Sequence, residues 1–283
     1  MLRRPGVLLA LACGCAIATV ALWFAANDLA AGRELDATLA DDLDGLFPSS
    51  SHELLQGASS LADLLPFAVA AAALVALAWL RAGRPLALCT ALVLLAANLV
   101  TQLLQPALSG VRHVDLSGTQ LSGAGSWPSG HGVAAMLLAL GAIVVAGPRL
   151  RAVTALAGLG YALGVGVALV ALRGHLPSDI LAAYLVAAAF TAAGGAAYAV
   201  LCRRAPAAER EPGLRPARSP VVAPALGALA AVAVLATGAG KALVTRRDEV
   251  ASAIDKVPLA LGATAALAVA VVLGAGTALV LRR

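Results

Sequence analysis

Residues 126–132 read SWPSGHG and lead directly into VAAMLLALGAIVVAG, an apolar run that continues to residue 147. A proline and a serine just before such a run are typical of a helix N-terminus, where the serine side chain can cap free amides. The run approaches the length of a membrane span, which predicts that His131 stands where a helix enters the membrane. Ionisable side chains at membrane depth are costly and usually kept for function, so this stretch indicates a polar site at one end of a helix bundle.

The composition is that of an integral membrane protein. Of the 283 residues, 61% are hydrophobic and 12% are charged, and the mean hydropathy of +0.91 lies well outside the range of soluble domains. Apolar stretches near the length of a span, about 20 residues, lie at 6–26, 64–80, 86–104, 132–147, 152–172, 179–200, 221–239 and 258–281. We therefore predict an all-α fold, a polytopic transmembrane helix bundle with a six-helix core and two C-terminal transmembrane helices.

The distribution of arginine and lysine predicts the orientation of the bundle. With both termini in the cytoplasm, most of these residues fall in inner segments, as the positive-inside rule requires. The predicted location is the cell membrane, with several spans and the SWPSGHG stretch on the outer face. The formal net charge of +5 follows from this topology and does not indicate nucleic acid as a partner. The expected partners are the bilayer and a membrane-bound substrate, and a homo-oligomer is allowed.

The chain divides into four segments. Residues 1–63 hold the first span, interpreted as a retained helix rather than a cleaved signal peptide, and an outer amphipathic stretch with four-residue spacing of Leu35, Leu39, Leu43 and Phe47. That stretch predicts a helix either on the membrane surface or over the bundle, and the pattern favours neither. The later segments are the core at 64–200, a cytoplasmic linker at 201–220 and a C-terminal transmembrane hairpin at 221–283.

Polar residues cluster at the outer ends of three connections. In the predicted topology, the segments after span three, before span four and between spans five and six share the outer face. They carry Arg112, His113, His131, Arg173, His175 and Asp179. Any one of these residues alone is best explained as an interfacial helix terminus, but the set indicates a functional site. The remaining histidine, His52, lies in a polar stretch and is interpreted as a solvated loop residue.

The chemistry of this set favours an anion such as phosphate. Gly130 allows a close backbone approach, Ser129 offers a hydroxyl, and the helix that follows presents amides and the positive end of its dipole. Arg112 and Arg173 add fixed positive charge. Two or three histidines and Asp179 could instead bind zinc, but the arginines would repel a cation and the sequence has no HxxxH or HExxH pattern. Neither a metal nor another cofactor is expected.

Three short motifs occur in a fixed order along the chain. Gln105 is followed by six residues and then Arg112 and His113, Pro-Ser-Gly-His is complete at 128–131, and His175 is followed by three residues and Asp179. This order resembles the type 2 phosphatidic acid phosphatase (PAP2) superfamily of membrane enzymes. Its motifs are Lys, six residues, Arg-Pro; then Pro-Ser-Gly-His; then Ser-Arg, five residues, His, three residues, Asp. The resemblance covers about residues 64–200.

The resemblance implies a phosphoryl transfer that needs no metal. His175 would attack phosphorus and become a phosphohistidine, and Asp179 would orient and charge-balance its ring. His131 would protonate the leaving oxygen and then activate water for the second step. Arg112 and the amides around Ser129 and Gly130 would hold the phosphate oxygens of a lipid mono- or diphosphate.

The first and third motifs depart from the family pattern. Gln105 stands where the family has lysine, and His113 stands where it has proline. Leu169 stands where the third motif has arginine. Arg173 lies four residues after Leu169, so the two would share a helix face if that helix extends one further turn. We expect Arg173 to replace the missing arginine, with His113 partly replacing the lysine. An arginine that snorkels to the interface is the alternative.

The leading hypothesis is an outer-face hydrolase of a polyprenyl or glycerolipid phosphate or diphosphate. A catalytically weakened relative that binds lipid phosphates or acts as a scaffold is the second reading, and Gln105 and Leu169 fit it. The presence of both histidines and Asp179 favours the enzyme. A transporter with broken helices would place ionisable residues in mid-span, and the predicted spans have none there.

Overall fold

The computed structural model of the chain describes residues 5–108 and 127–204. Within these ranges the chain forms helices and no strand, so the predicted all-α class is confirmed. Arg112, His113, most of the linker and the hairpin at 221–283 lie outside the described residues. The helices are α1 (Pro5–Asn27), α2 (Ala30–Leu46), α3 (His52–Ser60), α4 (Leu64–Leu108), α5 (Gly130–Val145), α6 (Arg151–Ala171) and α7 (Pro177–Arg204), with a 3-10 turn at Ser49–Ser51.

The long helices coincide with the predicted spans. Four of the described helices, α1, α4, α6 and α7, are long and apolar enough to cross a membrane, and α5 is a shorter apolar helix. Their bounds agree with the first predicted spans to within a few residues, except that the spans at 64–80 and 86–104 both fall inside α4. A multi-pass helix bundle is therefore confirmed, and the total number of spans stays a prediction.

Helix α4 consists of two helices joined at Gly83. This glycine has φ 74° and ψ −169°, a conformation that residues with a Cβ rarely adopt. In the first half, Arg81 lies against Gly147, just beyond the end of α5. In the second half, Gln105 lies against Pro128, just before α5 begins. The two halves therefore run in opposite directions, and α4 starts and ends on the same side of the bundle.

Helix α5 is the central element of the bundle. It packs against α4, α6 and α7, and its residues Val133, Met136 and Leu137 are almost fully buried. Helix α7 lies close to it at Gly132, where an added Cβ would stand 2.9 Å from the Cβ of Ala183. Small residues permit such close approach, and close packing stabilises helix association in membranes. The first turns of α5 and α7 are thus held side by side.

The bundle has two chemically different ends. We call the end at which α5 and α7 begin the histidine end, since it carries His131 and His175. The opposite end, which we call the arginine end, carries Arg81, Arg84, Arg149 and Arg151. This separation fits the predicted orientation, in which arginines mark the cytoplasmic side. Helix α1 packs along α7.

Helices α2 and α3 cover the histidine end. Helix α2 contacts α1, α6 and α7, and α3 contacts α6. Of the two alternatives for the amphipathic stretch, the structure therefore contains the helix packed over the bundle. The predicted leucine stripe is buried only in its second half, where Leu43 and Phe47 join the core. Leu35 is 60% exposed, and the buried residues of α2 are Asp36, Ala40 and Leu43. An aspartate takes a buried position because α7 supplies its hydrogen-bond donors.

Candidate active site

The Pro-Ser-Gly-His turn is fixed by the capping of α5. Ser129 is the N-cap residue, with φ −62° and ψ 121°, and its Oγ accepts a 3.2 Å hydrogen bond from the amide of Gly132. The Ser129 carbonyl accepts from Val133 at 2.9 Å, as the first intrahelical bond of α5. The serine is fully buried. The sequence allowed this residue either to cap or to bind phosphate, and the cap is what the structure contains.

The segment before α7 fixes His175 and Asp179. Asp179 is fully buried, and its Oδ2 accepts a 2.9 Å hydrogen bond from the amide of Leu176. The same oxygen lies 3.4 Å from His175 Nδ1, longer than the usual N–H···O distance of about 2.9 Å. The backbone therefore fixes the carboxylate firmly, and the carboxylate orients the imidazole more loosely. Since Nδ1 faces Asp179, Nε2 is the ring nitrogen left for chemistry.

A backbone hydrogen bond joins the two motifs. The amide of Ser129 donates to the carbonyl oxygen of Asp179 at 3.2 Å. His131 lies two residues after Ser129 and His175 lies four residues before Asp179. Both histidines, from separate connections, are therefore at the same end of the bundle, as the sequence predicts.

Gln105 supports the turn from the end of α4. Its Nε2 donates a 2.9 Å hydrogen bond to the carbonyl oxygen of Pro128. A Cβ added to Gly130 would lie 3.6 Å from Gln105 Nε2 and 3.8 Å from Gln102 Nε2. The residue at the position of the family lysine is thus beside the site, but its neutral amide is bound to the backbone.

Arg173 is held by α2. Its Nη1 lies 2.7 Å from Asp41 Oδ1 and its Nε lies 2.9 Å from Asp44 Oδ2. Desolvation lowers the pKa of Arg173, but the hydrogen bonds to Asp44 and Asp41 outweigh it and raise this pKa above its ordinary value. The guanidinium is therefore charged and already has two carboxylate partners.

The extra helical turn that would place Arg173 on the same face as Leu169 does not form. Helix α6 ends at Ala171, and Arg173 has φ 54°, in the left-handed region. The amide of Arg173 donates to Val170 at 2.8 Å and that of Gly174 to Leu169 at 3.0 Å, which together form a Schellman motif. Arg173 therefore occupies the C′ position, where glycine is usual, and does not share a helix face with Leu169.

Two acidic residues that the sequence did not single out for the site have direct partners there. Asp63, in the turn before α4, places Oδ1 3.0 Å from His131 Nε2. Asp36 on α2 accepts from the amide of Ser178 at 2.8 Å and also from its hydroxyl. The available signals were an aspartate at the edge of a span and one inside an amphipathic stretch. Neither pattern specifies a partner far away in the chain.

The structure brings together His131, His175, Asp179, Ser129, Gly130 and Gln105 at the histidine end, with Arg173 beside them on the α2 side. Arg112 and His113 lie outside the described residues. Within residues 5–108 and 127–204, no group of three or more His, Cys, Asp or Glu side chains could hold a metal ion. The site described here is built from imidazoles, carboxylates and helix N-termini, a combination suited to acid–base and nucleophilic chemistry on an anion.

Residues 86–206 match the PAP2 superfamily. This range contains Gln105, His131, His175 and Asp179, so the resemblance inferred from the motifs is confirmed. The match begins inside α4, later than the start at residue 64 that the motifs suggested. It therefore excludes α1 and also α2 and α3, the two helices that cover the histidine end.

A solved structure of the PAP2 type has a similar fold. It is a transmembrane PAP2-type phosphatidylglycerolphosphate phosphatase from Bacillus subtilis, with a TM-score of 0.54 and 18% sequence identity, and the similarity covers 64% of this chain and 92% of that chain. At this identity the similarity concerns the fold. A comparison with curated protein sequences gives no match.

Proposed function

We propose that this protein is an integral membrane phosphatase that hydrolyses a lipid phosphate or diphosphate through a phosphohistidine intermediate, without a metal. The observation that carries the proposal is the hydrogen bond from Ser129 to Asp179. It holds the start of α5, with His131, beside the His175–Asp179 pair. A nucleophile with its orienting carboxylate and a second imidazole at one helix end are the groups that a two-step phosphoryl transfer needs.

In the first step, Nε2 of His175 forms a bond to phosphorus while the bond from phosphorus to the leaving oxygen breaks. His131 gives its proton to that oxygen, and the lipid product departs. In the second step, water loses a proton to His131 and attacks phosphorus, the P–N bond breaks, and inorganic phosphate is released. Asp179 balances the positive charge that His175 carries in the intermediate.

The phosphate-binding groups we propose are Arg112, His113, the amides that follow Ser129 in the turn, Gln105 and Arg173; the Ser129 amide itself is used by the carbonyl of Asp179. The amides of Gly130 and His131 belong to the first turn of α5, where the helix dipole favours an anion. Gln105 acts mainly through the Pro128 carbonyl that it holds. A direct contact from Arg173 requires the guanidinium to share, or to leave, Asp41 and Asp44.

The site lies on the outer face of the cell membrane in this proposal, with both termini in the cytoplasm. The segregation of Arg81, Arg84, Arg149 and Arg151 at the opposite end supports this orientation. The substrate is a polyprenyl or glycerolipid phosphate whose tail stays in the bilayer. The catalytic core is residues 64–200, preceded by the first transmembrane helix and the amphipathic segment at 1–63. A cytoplasmic linker at 201–220 and a transmembrane hairpin at 221–283 follow it.

The test is phosphate release by the purified protein in detergent with EDTA present. Polyprenyl diphosphate, phosphatidic acid and phosphatidylglycerophosphate are compared as substrates. We expect release that survives EDTA and falls to background in His175→Ala. The matched control is His52→Ala, since His52 is an exposed histidine of α3. Release that needs a metal, or that persists in His175→Ala, contradicts the proposal.

A catalytically weakened lipid-phosphate binder is the second candidate, and the engagement of Arg173 by Asp41 and Asp44 favours it. It predicts binding of lipid phosphate without release. A separate variant, Arg173→Ala, tests whether the guanidinium binds phosphate. If Arg173 contacts phosphate in the enzyme, this variant lowers turnover far more than Arg247→Ala, and equal effects exclude that role.

A further inference from the structure

Asp63 and His131 meet at the histidine end from different parts of the chain. The backbone carbonyl of Asp63 accepts a 2.9 Å hydrogen bond from the amide of Phe67, so Asp63 stands at the N-terminal start of α4. Its carboxylate reaches a different helix. Oδ1 lies 3.0 Å from Nε2 of His131, in the first turn of α5.

The geometry of this contact indicates which nitrogen of the neutral imidazole carries the hydrogen. A carboxylate only accepts hydrogen bonds, so Nε2 of His131 carries the hydrogen and Nδ1 is the nitrogen free of a proton in the neutral ring. A carboxylate partner also restricts rotation of the ring. The same logic applies to His175, where Asp179 holds Nδ1 and leaves Nε2 available.

The contact between Asp63 and His131 is too exposed to contribute much to the stability of the fold. The side chain of His131 is 43% exposed and that of Asp63 is 55% exposed. Ion pairs at such positions contribute little to stability, because water screens them. Orientation of one ring nitrogen needs no large stabilisation, so a positioning role fits this exposure better than a structural one.

We propose that Asp63 is a positioning residue for His131, which makes the site a pair of His–Asp units: Asp179 orients the nucleophile His175, and Asp63 orients the acid and base His131. This inference rests on the proposed function. The first step uses the doubly protonated ring: the N–H at Nε2 stays with Asp63, and Nδ1 gives its proton to the leaving oxygen. In the second step Nδ1 takes a proton from water, which returns the ring to its starting form. Asp63 lies outside residues 86–206, so the segment before the PAP2 match supplies it.

The first test reads the imidazole directly and needs no activity. The chain has 4 histidines, so 15N-histidine NMR of the protein in detergent is tractable, and His131→Gln assigns the His131 signals. At alkaline pH we expect neutral His131 with its hydrogen on Nε2. In Asp63→Ala we expect a mixture of the two tautomers, while the control Asp42→Ala keeps the wild-type spectrum. An unchanged His131 spectrum in Asp63→Ala overturns the proposal.

The second test measures kinetics on the lipid phosphate that the wild type hydrolyses. We expect Asp63→Ala to lower kcat about tenfold or more with little change in KM, since general acid–base catalysis typically contributes at least 100-fold. Asp63→Glu, which keeps a carboxylate, recovers part of kcat. An unchanged or raised kcat in Asp63→Ala excludes the positioning role, as does a loss of kcat that the glutamate does not relieve. If the wild type releases no phosphate, the proposed function fails, and the NMR result alone decides whether Asp63 holds His131.

Discussion

The carboxylate of Asp36 on α2 accepts hydrogen bonds from both the amide and the hydroxyl of Ser178 at the start of α7. Arg173, on the other side of His175, is bound by Asp41 and Asp44 of the same helix. Helix α2 therefore holds the segment that carries His175 at both of its ends. The amphipathic stretch that precedes the PAP2 match is part of the site's framework.

Removal of the Asp36 carboxylate is expected to destabilise the protein. Asp36 is 5% exposed, so Asp36→Ala leaves two donors of Ser178 without this acceptor in a buried place. We expect a loss of about 1–3 kcal/mol in the free energy of unfolding, measured as a lower thermal midpoint in detergent. Asp42→Ala, an exposed position on the same helix, is the control. Equal midpoints for the two variants would show that α2 does not hold α7 through this contact.

A methyl group on Gly132 is expected to separate α5 from α7. Its Cβ would stand 2.9 Å from Ala183 Cβ and 3.3 Å from Ser129 Cβ. Overpacking of this kind typically costs about 1–3 kcal/mol. Gly164→Ala is the control, because nothing lies within 4 Å of the added Cβ there and alanine favours helix. Thermal denaturation should show a lower midpoint for Gly132→Ala only, and the close-packing account fails if both variants match the wild type.

Arg173→Gly and Arg173→Ala separate the backbone of Arg173 from its side chain. Both variants lose the contacts to Asp41 and Asp44, but only glycine adopts φ 54° without strain. We expect the glycine variant to be more stable than the alanine variant by about 1–2 kcal/mol, measured by chemical denaturation. An alanine variant at least as stable as the glycine variant would contradict a left-handed conformation at this position.

The orientation of the bundle predicts opposite accessibility for two cysteines. Cys202 lies near the end of α7, at the arginine end, and is exposed. In a variant that keeps only Cys202, a membrane-impermeant maleimide should react after permeabilisation of the cells and not before. In a variant whose only cysteine is introduced by His52→Cys at the histidine end, it should react in intact cells. The reverse labelling pattern would show that the histidine end faces the cytoplasm and would contradict the proposed orientation.

Much of the architecture could be predicted from local sequence. A membrane helix satisfies its own backbone hydrogen bonds, so an apolar run of sufficient length specifies a helix with little help from its neighbours. The bounds of α1, α5, α6 and α7 follow for this reason. The capping of α5 by Ser129 follows from the same short stretch, since the cap and its donor are three residues apart.

The backbone conformation just after α6 was harder to predict than the helix itself. The apolar pattern continues past Ala171, and the next glycine is Gly174. The helix instead stops with Arg173 in the left-handed position that glycine usually takes. The two aspartates of α2 that bind its side chain accompany this conformation, and they lie on another helix that no local rule connects to α6.

The sequence by itself determined the apolar helices, the two histidine-containing motifs and the resemblance of the core to the PAP2 superfamily, because each depends on residues that are close together along the chain. Only the tertiary structure decided that Asp63 meets His131, that Asp36 binds Ser178, and that α2 lies over the site with an aspartate on its buried face. A carboxylate far from its partner leaves no periodic trace in the sequence. Its hydrogen-bond partner is determined only when folding brings a donor to it.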